Sequence, residues 1–117
     1  PDAEPAALPE TSASDRAFVR KVTDILLANI ADTDFSIDAL CKEMAMSRTL
    51  FYNRLKSLTG KAPQDFIRLL RLEKAAELLR QGMPVNEVSL QTGFVNPKYF
   101  ATVFKKHFGV QPSKYTA

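Results

Sequence analysis

Two short clusters of polar residues carry the chemistry this chain can offer. Arg48, Thr49, Tyr52, Asn53 and Lys56 fall on one face if residues 47–59 are helical, opposite Phe51, Leu55 and Leu58. Pro97, Lys98, Ala101, Thr102 and Lys105 fall on one face of residues 96–108, opposite Phe100, Phe104 and Phe108. An asparagine amide both donates and accepts, so Asn53 can pair bidentately with adenine. Thr49 and Thr102 offer a hydroxyl and a methyl to a base edge or a thymine methyl, and Tyr52 can do either job. Arg48, Lys56, Lys61, Lys98, Lys105 and Lys106 suit phosphates, or guanine where they reach inward, and Asn96 stands at the head of the second cluster.

Other chemistries lack their residues. The chain has one histidine, His107, and one cysteine, Cys41, with no carboxylate pair or glycine-rich phosphate loop outside the helical pattern. Structural zinc lacks its ligands. We therefore expect no catalysis by this segment, no cofactor, no metal and no small-molecule ligand. Cys41 reads as a small packed residue rather than a reactive thiol, and His107 as a packed or dipole-favoured residue near a helix end. A lone cysteine excludes an internal disulfide and fits a reducing compartment.

The two clusters are held by segments that copy one another. Residues 47–63 align without a gap on residues 96–112, so that Phe51 meets Phe100, Lys56 meets Lys105, Gly60 meets Gly109 and Pro63 meets Pro112. Upstream, Ile37, Leu40, Cys41 and Met46 match Val85, Val88, Ser89 and Phe94 once one extra residue is allowed in the second turn. Ser36, Ser47 and Asn96 suit N-caps, Gly60 and Gly109 suit left-handed stops, and each copy reads as two helices joined by a tight turn. Between the copies, Pro63 to Gln81 reads as one long helix of ~28 Å. Pro63 suits its first turn, Gly82 and Pro84 end it, and Phe66, Leu70 and Ala75 to Leu79 form its apolar stripe.

The first helix is expected at about Asp15 to Ala31, with Phe18, Val22, Ile25 and Leu26 inward and a capping box over Ser12–Asp15. Residues 1–14 read as a linker or tail rich in Pro, Ala, Glu and Ser. The expected organisation is therefore 15–62 for the first module, 63–81 for the connecting helix and 82–117 for the second module. A final helical turn at Gln111–Tyr115 should bring Tyr115 back onto the core. In 117 residues, two such small units need the shared helix to make a sufficient core.

Charge separates the ends. Residues 1–34 hold seven acids against three bases, a net of −4, whereas residues 35–117 hold six acids against thirteen bases, a net of +7. A basic duplicated part fits a polyanion partner. It also fits a helical protein-interaction module that binds an acidic partner, and steep salt dependence with sequence preference separates the two. No apolar run approaches the ~20 residues of a membrane span, and no secretory signal pattern is evident.

The runs Phe66–Leu79 and Gly93–Tyr115 resemble the linker helix and signature segment of the AraC/XylS-type DNA-binding domain, over about Phe18 to Tyr115. The resemblance implies an all-α fold of about seven helices, with two helix-turn-helix subdomains joined by a long linker helix. It implies sequence-specific binding of double-stranded DNA by a cytoplasmic transcription regulator, usually an activator that touches RNA polymerase. Residues 35–79 are most similar to versions that end response regulators and hybrid two-component sensors. That likeness implies an N-terminal receiver or sensor domain in a longer chain, with kinase activity or a membrane anchor elsewhere if the chain is a hybrid sensor. Many members carry arginine where this chain has Asn53 and Thr102, which bears on the sequence preferred. Leu50 is unusually apolar for its position.

Overall fold

The computed structural model describes residues 12–115, so the expected linker, residues 1–14, lies mostly outside the described residues. Those residues form six α-helices and one 3-10 turn, with no strand among them. The helices are α1 (Ala13–Ala28), α2 (Ile37–Glu43), α3 (Arg48–Thr59), α4 (Pro63–Arg80), α5 (Val85–Gln91) and α6 (Pro97–Phe108), followed by the 3-10 turn Pro112–Lys114.

Helix starts follow local hydrogen bonding. Ser12 caps α1 by accepting from the Asp15 N–H at 3.0 Å, while the Asp15 carboxylate accepts from the Ser12 N–H at 3.4 Å, so a capping box forms. That box starts α1 two residues earlier than expected. Asn29 stops it earlier too, since its side-chain amide donates to the Ile25 carbonyl at 2.8 Å and its backbone leaves the helical region. Ser36 and Ser47 cap α2 and α3, and Gly60 and Gly109 close α3 and α6 in the left-handed conformation.

The repeat survives in the backbone bonds. Met46 N–H donates to the Cys41 carbonyl at 3.0 Å in the first turn, and Phe94 N–H donates to the Ser89 carbonyl at 2.9 Å in the second. Gly60 and Gly109 each donate at 2.7 Å, to Lys56 and Lys105 respectively.

The core is double. Phe18, Val22 and Leu26 of α1 pack with Leu40, Cys41, Phe51, Leu55 and Phe66. Val88, Phe94, Phe100 and Phe104 pack with Leu72, Ala75, Ala76 and Leu79. The connecting helix thus serves both cores with different faces, where the sequence suggested one stripe. Phe66, Ile67 and Leu70 point to the first core, and Leu72, Ala75, Ala76 and Leu79 to the second. At 3.6 residues per turn the centres of these two faces lie ~180° apart around the helix. The modules consequently flank α4, in a flat molecule of 40 × 38 × 21 Å.

Candidate nucleic-acid interface

Helices α3 and α6 are anchored by side chains that leave their opposite faces to solvent. In α3, Phe51 and Leu55 are completely buried, and in α6 the equivalent Phe100 and Phe104 are too. Phe104 sits in an aromatic group, with ring centroids 5.6 Å from Phe100, 4.5 Å from Phe108 and 5.3 Å from Tyr115. Arg54 is held back from solvent. Its guanidinium lies 4.4 Å from the centre of the Phe18 ring and donates to the Asp15 carboxylate at 3.2 Å, tying α3 to α1.

All eleven candidate residues are exposed: Arg48, Thr49, Tyr52, Asn53, Lys56 and Lys61 in the first module, and Asn96, Lys98, Thr102, Lys105 and Lys106 in the second. Neither α3 nor α6 contains a single carboxylate, whereas α3 carries Arg48, Arg54 and Lys56 and α6 carries Lys98, Lys105 and Lys106. Each face therefore projects positive potential without internal neutralisation. Arg48 is the partial exception, because it donates to the Asp38 carboxylate of α2. Both side chains are well exposed, and such a surface pair is weak enough to be exchanged for a phosphate.

Two candidates have part of their hydrogen bonding spent at home. The Asn96 side-chain oxygen, Oδ1, accepts from the N–H groups of Lys98 at 2.8 Å and Tyr99 at 3.3 Å, which caps α6 and leaves its amide nitrogen to donate elsewhere. Thr102 donates its hydroxyl hydrogen to the Lys98 carbonyl at 3.0 Å, keeping its methyl and its acceptor lone pairs. Thr102, Lys105 and Lys106 border a shallow surface cleft beside α6.

Leu50 is 62 % exposed, and Tyr99, at the same position of the repeat, is 49 % exposed. Cys41 is buried against the first core, and burial pushes its thiol pKa up, which disfavours a reactive thiolate. His107 is exposed and meets the Phe108 ring edge-on at 4.6 Å. Among the described residues no group of three or more His, Cys, Asp or Glu could hold a metal ion, and no helix is long and apolar enough to cross a membrane.

One site the sequence reading passed over is the seam between the modules. Arg71 of α4 is half-buried there, next to the Gly93 turn. Two sequence features bear on it: an arginine interrupts the apolar run Leu69–Leu72, and a glycine stands where the first copy has Ala45.

Comparisons with known proteins agree with this geometry. The model of a helix-turn-helix domain family matches residues 40–117. Histidine kinase P4 of Formosa agariphila is 36 % identical over 105 residues, which is 89 % of this chain but 8 % of that protein. The C-terminal domain of AraT, a response regulator from Geobacillus stearothermophilus, superposes with a TM-score of 0.75 at 26 % identity, covering 91 % of this chain and 85 % of that one. The DNA-binding domain of AdpA, a global transcriptional factor solved in complex with a target DNA, superposes with a TM-score of 0.74 at 30 % identity, covering 83 % and 87 %.

Proposed function

The chain belongs to the AraC-type helix-turn-helix family of DNA-binding transcription-regulator domains, and from that premise we propose that its two modules read neighbouring major-groove segments on one side of a duplex. The observation that carries the reading is the pair of carboxylate-free helices, α3 and α6, exposing equivalent polar faces at equivalent repeat positions. Successive major grooves on one side of B-DNA lie ~34 Å apart, a spacing that the 40 × 38 Å face of the molecule can span.

In this reading residues 15–62 and 82–117 are the two reading modules and residues 63–81 hold them, with the first module extended back to the Ser12 cap of α1. Asn53, Thr49, Tyr52 and Thr102 address base edges. Arg48, Lys56, Lys61, Asn96, Lys98, Lys105 and Lys106 address phosphates, Asn96 through its amide nitrogen. The segment binds and does no catalysis. The likeness to a histidine kinase and to a response regulator supports an output role in a two-component or hybrid sensor protein acting in the cytoplasm. A receiver or sensor domain would supply the signal, and RNA polymerase is the partner through which an activator of this kind would work.

The test is selection of bound sequences from a random duplex pool, followed by affinity measurements at several salt concentrations. A recovered motif in two parts, with affinity falling steeply as salt rises, is the expected result. Binding without sequence preference, or insensitive to salt, returns the basic face to the protein-interaction reading.

A further inference from the structure

Helix α4 changes allegiance at Arg71. Leu70, on one side, packs on the first core, and Leu72, on the other, belongs to the second. Arg71 itself lines both a narrow pocket of the first module, with Leu26, Ile30 and Phe35, and an open cleft of about 400 Å³ between the modules, with Ile37, Phe94 and Tyr99. The guanidinium has no carboxylate partner among the described residues, and its Nε is sealed from solvent without a hydrogen-bond acceptor. Burial lowers its pKa from the usual value. Its stem and planar head line the space between the modules.

The space is bounded by the second module's turn. Gly93 has φ +84°, and a Cβ there would stand 2.3 Å from the Ile30 carbonyl oxygen and 2.8 Å from Arg71 Nε. Three pieces of chain therefore meet at one point: the segment after α1, the middle of α4 and the turn between α5 and α6. Elsewhere the extensive helix contacts stay within one module or run through α4, since α1, α2 and α3 pack on one another and α5 packs on α6. The shared helix sets the two modules on opposite faces of α4, and the crowding of Gly93 against Ile30 and Arg71 adds a second point of attachment between them.

We propose that Arg71, wedged against the Gly93 turn where that turn meets the Ile30 carbonyl, sets the separation and rotational phase of α3 and α6, and so determines which half-site spacing the protein accepts. Arg71 is a positioning residue that need not touch DNA, and its role rests on the two-module reading above. Each inserted base pair rotates one half-site by ~34° and moves it by ~3.4 Å, so a stiff seam makes the spacing optimum sharp and a soft one flattens it.

The experiment measures binding of wild type and Arg71→Ala to the selected two-part site, to the same site with one, two or five inserted base pairs, and to each half-site alone. Wild type should lose about 100-fold on insertion, because simultaneous engagement is lost. Arg71→Ala should lose less than about tenfold on the same insertion, with half-site affinities unchanged. Circular dichroism checks folding, and Arg71→Lys, which keeps the stem and charge without the planar head, replaces Arg71→Ala if that variant unfolds. Spin labels on Ser57→Cys and Ser113→Cys, both exposed positions in a chain whose own cysteine is buried, give an independent readout. The distance distribution between them should broaden in the Arg71 variant. A folded variant that keeps the wild-type spacing optimum overturns the role of Arg71 alone, as does equal loss on half-sites and on the full site. Wild type indifferent to spacing overturns the two-module reading, and this role falls with it.

Discussion

Ala45 in the first module and Gly93 in the second occupy the same place in the repeat, and both have positive φ, +56° and +84°. The turn dictates the left-handed backbone, yet only the second copy uses the residue that adopts it without cost. The surroundings explain why. Ala45 faces solvent, so its methyl group costs only the intrinsic left-handed penalty of about 1–2 kcal/mol. Gly93 is buried against the Ile30 carbonyl and Arg71, where a methyl group would also collide with backbone. Helix-turn-helix geometry repeats because it is local; residue choice diverges because docking is not.

The cores differ in the same sense. The first copy is covered by an additional helix, α1, through Phe18, Val22 and Leu26. The second has no such helix among the described residues and closes with aromatic rings, including Tyr115, whose hydroxyl accepts from the Arg80 guanidinium at 2.8 Å. Equivalent truncations should therefore cost unequal amounts. Phe104→Ala removes a fully buried ring that touches three others and should cost about 3–5 kcal/mol, whereas Leu55→Ala at the matching position should cost about 2–4 kcal/mol. Urea unfolding of both variants checks the order, and a Leu55→Ala loss larger than that of Phe104→Ala would show that α1 makes the first core the less forgiving one.

Exchanging the turn residues sharpens the contrast. Gly93→Ala combines left-handed strain with overpacking and should destabilise by about 2–4 kcal/mol. Ala45→Gly relieves strain but loosens the unfolded chain, leaving a gain of at most about 1 kcal/mol. Thermal melting of the pair reads both signs, and similar losses in both would mean that the seam does not crowd Gly93.

How much of this could be read from the residues follows the same division between local and distant causes. Helix starts at Ser36, Ser47 and Asn96, stops at Gly60 and Gly109, and the inward faces of α3 and α6 were legible because caps and apolar periodicity act within a few residues. Leu50, whose apolar type stands out at its position, is exposed. The change of face along α4 was not legible, since Phe66 and Leu70 run on into Ala75 to Leu79 and only the placement of two cores separates them. Arg54 shows the same limit: nothing within α3 separates it from the solvent-facing Arg48 and Lys56, and its contact with Asp15 and Phe18 depends on α1, far away in sequence. The roles proposed for Asn53 and Thr102 rest on type and exposure, because what a side chain reads depends on a partner outside the chain.

On DNA the two faces should separate base reading from phosphate contact. Asn53→Ala should cost about 1–3 kcal/mol at one base position and relax preference there. Lys105→Ala should weaken all sequences alike and reduce the slope of log affinity against log salt by about 1. Competition binding against single-base variants of the selected site measures the first, and a salt titration the second. Equal effects of both changes on every sequence would break the division of roles.

The smallest expected difference concerns acid. Helix α1 of the first module begins with a titratable group, Asp15, whose pKa is lowered first by the hydrogen bond from Arg54 and then by the Ser12 N–H. Helix α6 begins with Asn96, a neutral amide whose cap involves no titratable group. A carboxylate whose folded pKa lies below its unfolded value stabilises the fold fully above the unfolded value, and loses that contribution as pH falls through the folded one. Amide exchange at the start of α1 should therefore quicken relative to the start of α6 as pH drops from about 5 to about 2, after correction for intrinsic exchange rates. Asp15→Asn keeps an oxygen for the Ser12 N–H but removes the charge that Arg54 meets. Its α1 should be less protected than wild type at pH 6 and equal to it once wild-type Asp15 is protonated. A gap between wild type and Asp15→Asn that stays constant across that range would mean that shape, not charge, holds Arg54 over Phe18, and that the two modules differ in packing alone.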